Sequence, residues 1–240
     1  MAKKLTYPGR DLEAMNFAQA YHRWILSLFK PYLGERIVEV GAGSGGFSEM
    51  LLENRPKVFA GVEPAAEMYP LLKERVSGTK GTEVVTYQDF FSDVATEIKT
   101  RARPDTFVYV NVLEHIEHDQ DELKLVYDTL SGGGHALIFV PALPALFGPL
   151  DAKIGHFRRY TKRELERKAA TAGFDIITCH YFDLAGVLPW WVKFRLLRSS
   201  DIEPGAVKLY DGLVVPIMRP LERLIKPPIG KNLLMVAKKK

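Results

Sequence analysis

The sequence of residues 36–46 is Arg36-Ile-Val-Glu-Val-Gly-Ala-Gly-Ser-Gly-Gly46, and this stretch decides the fold. A short apolar run is followed by glycines at positions 41, 43 and 46, which match the spacing Gly-x-Gly-x-x-Gly. That spacing is typical of a strand that turns through glycine into a helix, where backbone N–H groups approach a ligand closely. Dinucleotide-binding proteins share the pattern. The turn therefore predicts a nucleotide-containing ligand, whose identity depends on the residues around it.

Short apolar runs alternate with amphipathic segments after this turn. Strands are expected near residues 37–40, 57–62, 83–87, 106–111 and 135–140, with helices between them. Such alternation predicts an α/β fold with a Rossmann-like, mostly parallel sheet and helices on both faces. Apolar residues at helical spacing over residues 11–30 predict an N-terminal helix.

Length and composition favour a single domain. A chain of 240 residues, of which 47% are hydrophobic and 26% charged, can bury a full core. We divide it into an N-terminal helical segment (1–34), a ligand-binding core (35–182), a helical insertion (183–230) and a last strand with a basic tail (231–240). Six prolines between Pro189 and Pro228 divide the insertion into short helices and loops.

Several classes of protein are disfavoured by the composition. The single cysteine, Cys179, excludes a disulfide framework and a multi-cysteine zinc site. Neither a signal-peptide pattern nor an uncharged apolar run of transmembrane length is present, so we expect a cytoplasmic protein. A formal net charge of +4 does not argue for nucleic acid, and we expect none as a partner.

Three acidic residues stand at positions around the glycine turn that suit one kind of ligand. Glu39 precedes Gly41 by two residues, where its carboxylate could reach the amino group of an amino-acid moiety. Glu63 follows the second strand and could accept hydrogen bonds from both hydroxyls of a ribose. Asp89 follows the third strand, where it could accept a hydrogen bond from an adenine amino group, with Phe90 beside the ring. The alternative role of Asp89 is a helix N-cap.

Together these residues resemble the class I methyltransferases that depend on S-adenosylmethionine (SAM). The resemblance implies SAM as cofactor, S-adenosylhomocysteine as product, and a seven-stranded sheet whose last two strands form an antiparallel hairpin. Those strands are expected at residues 174–181 and 232–237. The cofactor site implied by the resemblance consists of Glu39, Gly41, Ala42, Gly43, Gly45, Glu63, Pro64, Asp89, Phe90, Asn111, Val112 and Leu113.

The loop after the fifth strand contains the candidate catalytic residue, His156. Its sequence is Leu150-Asp-Ala-Lys-Ile-Gly-His-Phe-Arg-Arg-Tyr160, at the edge where open α/β sheets bind ligands. Histidine is a suitable base for the proton of an acceptor, the alternative being a histidine that orders the loop. A similar loop occurs in ubiquinone-type and related bacterial methyltransferases. Arg158, Arg159 and Tyr160 are candidate acceptor contacts, with two solvated arginines and a packing tyrosine as the alternatives.

A metal site is a further question raised by Glu114 and His115. Some methyltransferases, including small-RNA 2′-O-methyltransferases, use the pattern Glu-x-x-Glu-His with one more ligand. Here the first position is Asn111, which is a poorer ligand for a hard divalent cation. We therefore predict no metal, and His115 is expected to form a wall of the pocket.

The insertion indicates the chemistry of the acceptor. Residues 184–226 mix large apolar side chains with Lys and Arg, which is typical of helices that lie on an anionic membrane or cover an apolar acceptor. A helical lid with solvated arginines is the alternative. With Trp190 as a candidate contact, we expect a small, hydrophobic or lipid-linked acceptor, methylated on oxygen or carbon, and peripheral membrane contact.

The loop and the insertion together resemble bacterial methyltransferases associated with glycan and lipid biosynthesis. Two other functions stay open at this point. One is an NAD(P)-dependent oxidoreductase, which the glycine turn and Glu63 would also fit, and the other is a protein that binds SAM without catalysis. The sequence leaves the oligomeric state open.

Overall fold

The computed structural model describes residues 18–240. Its strands are β1 (Arg36–Val40), β2 (Val58–Val62), β3 (Glu83–Tyr87), β4 (Thr106–Val110), β5 (His135–Pro141), β6 (Asp175–Phe182) and β7 (Asn232–Lys238). Its α-helices are α1 (Gln19–Phe29), α2 (Gly46–Leu52), α3 (Tyr69–Val76), α4 (Phe91–Arg101), α5 (Asp119–Thr129), α6 (Pro149–Lys153), α7 (Lys162–Ala172), α8 (Val187–Trp190), α9 (Pro204–Leu209) and α10 (Val215–Leu224).

Within residues 18–240 the strands form one seven-stranded sheet in the order β3-β2-β1-β4-β5-β7-β6. The first five strands are parallel, and β7 is antiparallel to both β5 and β6. The predicted α/β fold and the antiparallel hairpin are therefore confirmed. The predicted N-terminal helix is present as α1, while residues 11–17 of that prediction lie outside the described residues.

Helices cover both faces of the sheet, which explains why the inner strands are apolar along their whole length. All five residues of β2 are buried, as are the last four of β1. In the described part of the chain, two clusters of buried side chains lie on opposite faces. One joins the sheet to α4, α5 and α7, and the other joins it to α1, α2 and α3. Burial on both faces is typical of parallel sheets.

The insertion between β6 and β7 consists of two helical segments. A π-helix (Trp191–Leu196) continues α8, and a π-helix (Tyr210–Val214) joins α9 to α10, so that residues 204–224 are helical throughout. Within residues 18–240, no helix is long and apolar enough to cross a membrane.

Two carboxylates anchor the insertion to the core. Asp183 is fully buried at the end of β6, where it accepts hydrogen bonds from the hydroxyl of Tyr21 (3.0 Å) and the backbone of Gly186 (2.9 Å), and it pairs with Lys231 (3.0 Å). Asp211 accepts hydrogen bonds from the backbone N–H groups of Ala20 (2.9 Å) and Tyr21 (2.8 Å). Because both are in the first turn of α1, Asp211 acts as a cap supplied by a distant segment.

We expect Asp211→Ala to destabilise the fold by about 1–2 kcal/mol, since it leaves two N–H groups at the start of α1 without their acceptor. Urea unfolding measures this loss. Glu203→Gln, which alters an exposed carboxylate on the same insertion, is the control and should leave the unfolding midpoint unchanged. Equal midpoints for Asp211→Ala and the unsubstituted protein would contradict the capping role.

Candidate functional site

A cavity of about 400 Å³ opens at the carboxyl ends of the parallel strands. One part of its lining comes from the glycine turn and from Glu63 and Asn111, which follow β2 and β4. Another part comes from the loop that contains His156 and from Trp190 in the insertion. The strand ends therefore bring together the two regions that the sequence analysis predicted to bind cofactor and acceptor.

The glycine turn is held against the sheet while one side stays open. The N–H groups of Gly41 and Ala42 both donate to the carbonyl of Val62, at 2.8 and 3.0 Å. Gly41 has a φ of +68°, and a Cβ there would lie 2.4 Å from the side chain of Val112, so only glycine fits. Gly43 has a φ of +57° with open space where a Cβ would stand. A ligand can therefore approach the backbone at Gly43.

Two residues predicted to contact the cofactor, Gly45 and Leu113, pack within the fold and, like Asp89, lie outside the cavity lining. A Cβ at Gly45 would lie 3.1 Å from Leu72 and 3.3 Å from Arg75, so this glycine allows α2 to pack close to α3. Leu113 is fully buried in the core. Their predicted roles are corrected to packing, because a position beside a cofactor segment does not determine which way a residue faces.

Glu63 fixes the glycine turn from the neighbouring strand. One carboxylate oxygen accepts a hydrogen bond from the N–H of Gly43 at 2.7 Å, and the other accepts one from the N–H of Ala65 at 2.8 Å. Burial raises the pKa of this carboxyl group, although the two backbone hydrogen bonds lower it. Each carboxylate oxygen has a second lone pair, so each can still accept a hydrogen bond from a hydroxyl group of a ligand.

Glu39 is a buried carboxyl group in the cavity wall. Its only side-chain donor among the described residues is the hydroxyl of Ser48. Burial raises the pKa of Glu39 to about 8; the hydrogen bond from Ser48 lowers it, and the nearby charge of Glu63 raises it further. A cationic group bound in the cavity would compensate the buried negative charge.

The segment after β3 contributes aromatic surface without its predicted acid. Phe90 lines the cavity together with Phe91 and Ser92, and this residue is 40% exposed. Asp89 is exposed and lies outside the lining. Its alternative role is not observed either, because α4 has Phe90 at its N-cap position and no side-chain cap. The structure therefore does not bring Asp89 into this site.

The residues after β4 lie along the cavity. Asn111 has a φ of +54°, a left-handed conformation that asparagine tolerates better than most residues, and its N–H donates to the carbonyl of Phe139 at 2.8 Å. Its side chain lines the cavity with those of Val112 and, across the turn, Pro64. The predicted positions of these three residues agree with the lining.

His156 is oriented by Asp151, a residue that the sequence analysis did not select. The Nδ1 atom of His156 lies 2.8 Å from a carboxylate oxygen of Asp151, and its Nε2 atom lies 3.7 Å from Glu114. The pKa of Asp151 is lowered below its usual range: burial raises it, but the hydrogen bond from His156 and the charge of Arg159 outweigh that effect. The anionic carboxylate therefore favours a proton on Nδ1 and leaves Nε2 as the free acceptor.

Glu114 is a buried carboxyl group whose oxygens lack hydrogen-bond partners in the described part of the chain. It is fully buried, it lines the cavity, and neither of its oxygens has a hydrogen-bond partner among the described residues. Burial raises its pKa to about 7, although the charges of His156 and Arg159 lower it. Burial therefore favours the protonated form of this carboxyl group more than it does for an ordinary glutamate.

These residues also form the group that could hold a metal ion. Ligand atoms of Glu114, His115 and His156 lie within 4.8 Å of one another. One carboxylate and two imidazoles suit a transition metal better than Mg²⁺. Burial lowers the pKa of His115 to about 3, which keeps its ring neutral. The prediction that the site binds no metal stays a prediction.

The three neighbours of His156 in the loop have different roles. Arg159 is buried, binds Asp151 through Nε (2.9 Å) and a terminal nitrogen (2.8 Å), and lines the cavity. Arg158 donates to the carbonyls of Ile116 and Glu117 and pairs with Asp119 at 2.8 Å. Tyr160 is fully buried, and its hydroxyl donates to Asp119 at 2.8 Å.

The predicted acceptor contacts of Arg158 and Tyr160 are corrected accordingly. Both side chains tie the loop to the start of α5 and lie outside the cavity lining. Their partner Asp119 is about forty residues away in sequence, so no local pattern indicates it. Asp151 could have been found, because a carboxylate five residues before a loop histidine is a natural partner for it.

Trp190 lines the cavity beside two cations that are already paired. The guanidinium of Arg159 lies 4.8 Å from its ring centroid, and the ammonium of Lys231 lies 5.3 Å from it. Lys231, which also lines the cavity, pairs with Asp183 at 3.0 Å. The indole nitrogen of Trp190 is buried and has no hydrogen-bond partner among the described residues. Sequence analysis missed Lys231 and Tyr21, which reach the cavity from opposite ends of the chain.

Comparison with known proteins identifies the kind of protein that has this site. The sequence matches the family profile described as "Methyltransferase domain" over residues 13–179. It is 29% identical over 133 residues to an uncharacterized methyltransferase of Geobacillus kaustophilus, a match that covers 55% of this chain and 57% of that protein. The matched segments span about half, or less, of the length of the curated relatives.

Solved structures share the fold. Phosphoethanolamine N-methyltransferase 2 of Haemonchus contortus, in complex with SAM, superposes with a TM-score of 0.60 at 18% identity, over 93% of this chain and 56% of that chain. A SAM-dependent methyltransferase of Archaeoglobus fulgidus gives a TM-score of 0.57 at 19% identity, over 92% and 94% of the two chains. At these identities the likeness concerns the fold alone.

The raised pKa of Glu39 predicts how stability depends on pH. Between pH values of about 4.5 and 8, the folded protein holds a proton on Glu39 that the unfolded chain releases, so the free energy of unfolding falls as pH rises through this range. Glu114 contributes in the same direction. We expect Glu39→Gln to flatten the dependence, as measured by urea unfolding at about pH 5 and about pH 8.

Glu67→Gln, which changes an exposed carboxyl group, is the control and should retain the slope of the unsubstituted protein. A Glu39→Gln variant with that same slope would show that Glu39 ionises as easily in the folded protein as in the unfolded chain.

Proposed function

Because the chain belongs to the class I SAM-dependent methyltransferases, we propose that it transfers a methyl group to an oxygen or carbon atom of a small hydrophobic acceptor bound beside His156. The observation that carries this proposal is the pair formed by His156 and Asp151 in the wall of the cavity. Membership of this family excludes the alternative of an NAD(P)-dependent oxidoreductase. The proposal therefore concerns the acceptor and the residues that act on it.

The cofactor is proposed to lie along the glycine turn. The carboxylate of Glu39 would bind the amino group of the cofactor's methionine moiety. Glu63 would accept hydrogen bonds from the ribose hydroxyls of the cofactor while it also accepts the one from Gly43. Phe90 would contact the adenine, and Asn111 would border the methionine end. The buried, poorly compensated charge of Glu39 supports this orientation, because a bound ammonium is the partner that this carboxylate lacks.

The chain's own chemical task is to align the acceptor and remove its proton. SAM supplies a methyl group that is already activated as an electrophile on sulfur. We assign the acceptor's proton to Nε2 of His156, which would take it as the methyl group passes from the sulfur of SAM to the acceptor's oxygen or carbon and S-adenosylhomocysteine leaves. Asp151 is a positioning residue, since it retains the proton on Nδ1 and stabilises the imidazolium that forms.

The lining near His156 favours a hydrophobic acceptor. Ile154, Trp190 and Ile202 contribute apolar surface there. Both cations in this part of the wall are neutralised, Arg159 by Asp151 and Lys231 by Asp183, so no excess positive charge is left to hold an anionic substrate. The indole N–H of Trp190 offers one hydrogen bond that could orient a polar atom of the acceptor.

We expect Glu39→Gln to weaken SAM binding by about 10- to 100-fold, because it removes one charge from a buried ion pair with the ligand. Isothermal titration calorimetry with SAM and S-adenosylhomocysteine measures the change, and Glu67→Gln is the matched control. Unchanged affinity in Glu39→Gln would contradict the proposed orientation of the cofactor.

For the base, we expect His156→Gln to lower kcat by about 10²- to 10⁴-fold with SAM affinity unchanged. Transfer of labelled methyl groups from SAM to a panel of phenols, prenylated phenols and lipid-linked sugars measures the rate. His118→Gln, at an exposed position outside the cavity lining, is the control. Full activity of His156→Gln would contradict the assignment of His156 as the base. Turnover of polar metabolites alone would contradict the proposal of a hydrophobic acceptor. SAM binding without transfer to any acceptor class would favour a non-catalytic SAM-binding protein.

A further inference from the structure

The wall of the cavity contains all the buried side-chain polar atoms that lack a hydrogen-bond partner among residues 18–240. These atoms are both carboxylate oxygens of Glu114 and the indole nitrogen of Trp190. Buried polar groups in folded proteins are nearly always paired, because an unpaired one has lost its water without gaining a partner. Their concentration in one wall indicates that a polar ligand completes this part of the cavity.

The position of Glu114 is fixed against the loop that contains His156. Glu114 lies in a 3₁₀ turn (Leu113–His115) after β4, and its carbonyl accepts a hydrogen bond from the N–H of Phe157 at 2.9 Å. On the other side of the imidazole, Asp151 holds Nδ1 at 2.8 Å. Because a backbone hydrogen bond joins the turn to the loop, the fold sets the spacing between the carboxylate and the imidazole.

Two hydrogen-bond acceptors therefore stand side by side with no donor between them. Oε1 of Glu114 lies 3.7 Å from Nε2 of His156, which is beyond hydrogen-bonding distance. With the imidazole proton on Nδ1, Nε2 is an acceptor like the carboxylate. The guanidinium of Arg159 donates elsewhere, to Asp151 and to the carbonyl of Ala142. What this wall lacks is a molecule with two neighbouring donors.

We propose that the methyl acceptor carries hydroxyl groups on adjacent carbon atoms, one bound by Nε2 of His156 and the other by the carboxylate of Glu114. Such hydroxyls are close enough together to donate to both atoms at once. The inference rests on the proposed function, since it concerns the molecule that His156 deprotonates. It names the class of that molecule: a hydrophobic compound whose reactive end is a vicinal diol, either of a catechol ring or of a sugar.

The two hydroxyls have different fates in the transfer. As the oxygen of the first forms its bond to the methyl carbon, the bond from that carbon to the sulfur of SAM breaks and S-adenosylhomocysteine leaves. The proton of this first hydroxyl passes to Nε2 of His156. The second hydroxyl keeps its proton and donates a hydrogen bond to Glu114, which determines the oxygen that meets the methyl group. A compound without the second hydroxyl leaves the buried carboxylate unpaired.

The first test compares matched compounds by transfer of labelled methyl groups from SAM. The pH is kept above the pKa of Glu114, which burial raises to about 7. An alkylcatechol is paired with the alkylphenol of the same chain length, and an alkyl glycoside with its deoxy analogue that lacks one of two neighbouring hydroxyls. The two pairs distinguish an aromatic source from a sugar. We expect kcat/KM to fall by about 10²-fold when the second hydroxyl is missing.

The second test removes the carboxylate. Glu114→Met should lower kcat/KM for the diol to the value of its monohydroxy analogue and leave the analogue's value unchanged. Glu67→Met, at an exposed position outside the cavity lining, is the control and should retain the preference. Because the carboxylate has no partner to lose, Glu114→Met should unfold at the same urea concentration as the unsubstituted protein or at a higher one. A purely structural role for Glu114 would lower that concentration.

A third measurement does not depend on turnover. The protein saturated with S-adenosylhomocysteine is titrated calorimetrically with both members of each pair, and we expect one diol to bind about tenfold more tightly than its analogue. Glu114→Met should remove the difference. Failure to bind SAM, or full activity of His156→Gln, would contradict the proposed function. SAM-dependent transfer to compounds with one hydroxyl, at the rate of the diols, would contradict this inference alone.

Three results would overturn the inference. One is equal binding of the matched compounds, or binding of neither, because water would then be sufficient for Glu114. Another is a preference for the diol that survives in Glu114→Met. The third is transfer that a chelator abolishes and Zn²⁺ or Mn²⁺ restores, because Glu114 would then bind a metal ion with His115 and His156.

Discussion

The register of three neighbouring parallel strands determines where everything else in the site can be. Val40 of β1 lies opposite Val62 of β2 and Tyr109 of β4, so the three strands end at nearly the same level. The residues that follow them therefore meet at one edge, where no strand backbone fills the space. Because Gly41 and Ala42 both donate to the carbonyl of Val62, the glycine turn begins as a direct extension of this hydrogen-bonded ladder.

Two carboxyl groups on either side of His156 show how environment divides their roles. Asp151 has a lowered pKa, since burial, which raises it, is outweighed by His156 and Arg159. Glu114 has a pKa raised to about 7, because the effect of burial outweighs the nearby positive charges of His156 and Arg159, which lower it. Shifts in opposite directions separate an anion that orients the imidazole from a group that can carry a proton near neutral pH. Neither shift follows from the residue type, and both depend on which side chains the fold places nearby.

The sequence predicts features that depend on local patterns and misses those that depend on distant partners. The strand, glycine turn and helix of residues 36–52 form a continuous signal, and Glu63 follows from the end of the next strand. The direction in which a side chain points is harder to predict from the sequence. Gly45 and Leu113 are adjacent to cavity residues in sequence, but the turn of the backbone directs them into packing.

Distance in sequence explains the remaining differences. Asp119, which holds Arg158 and Tyr160, lies at the start of a helix that no property of the loop indicates. Two residues of the cavity wall that were missed, Tyr21 and Lys231, come from α1 and from the position just before β7. Their positions follow from how the insertion packs, which cannot be obtained from its proline-interrupted sequence.

Asp183 connects these distant parts into one unit. Its buried carboxylate accepts hydrogen bonds from the hydroxyls of Tyr21 and Tyr210 and pairs with the ammonium of Lys231. It therefore joins α1, the insertion and the residue just before β7. Tyr21 and Lys231 line the cavity, whereas Tyr210 belongs to the helical segment of residues 204–224 in the insertion. A buried carboxylate loses much of its stabilisation when one of its donors is removed, so Tyr210 and the two cavity residues depend on the same group. The insertion and the wall of the site thus share one buried carboxylate as a common contact.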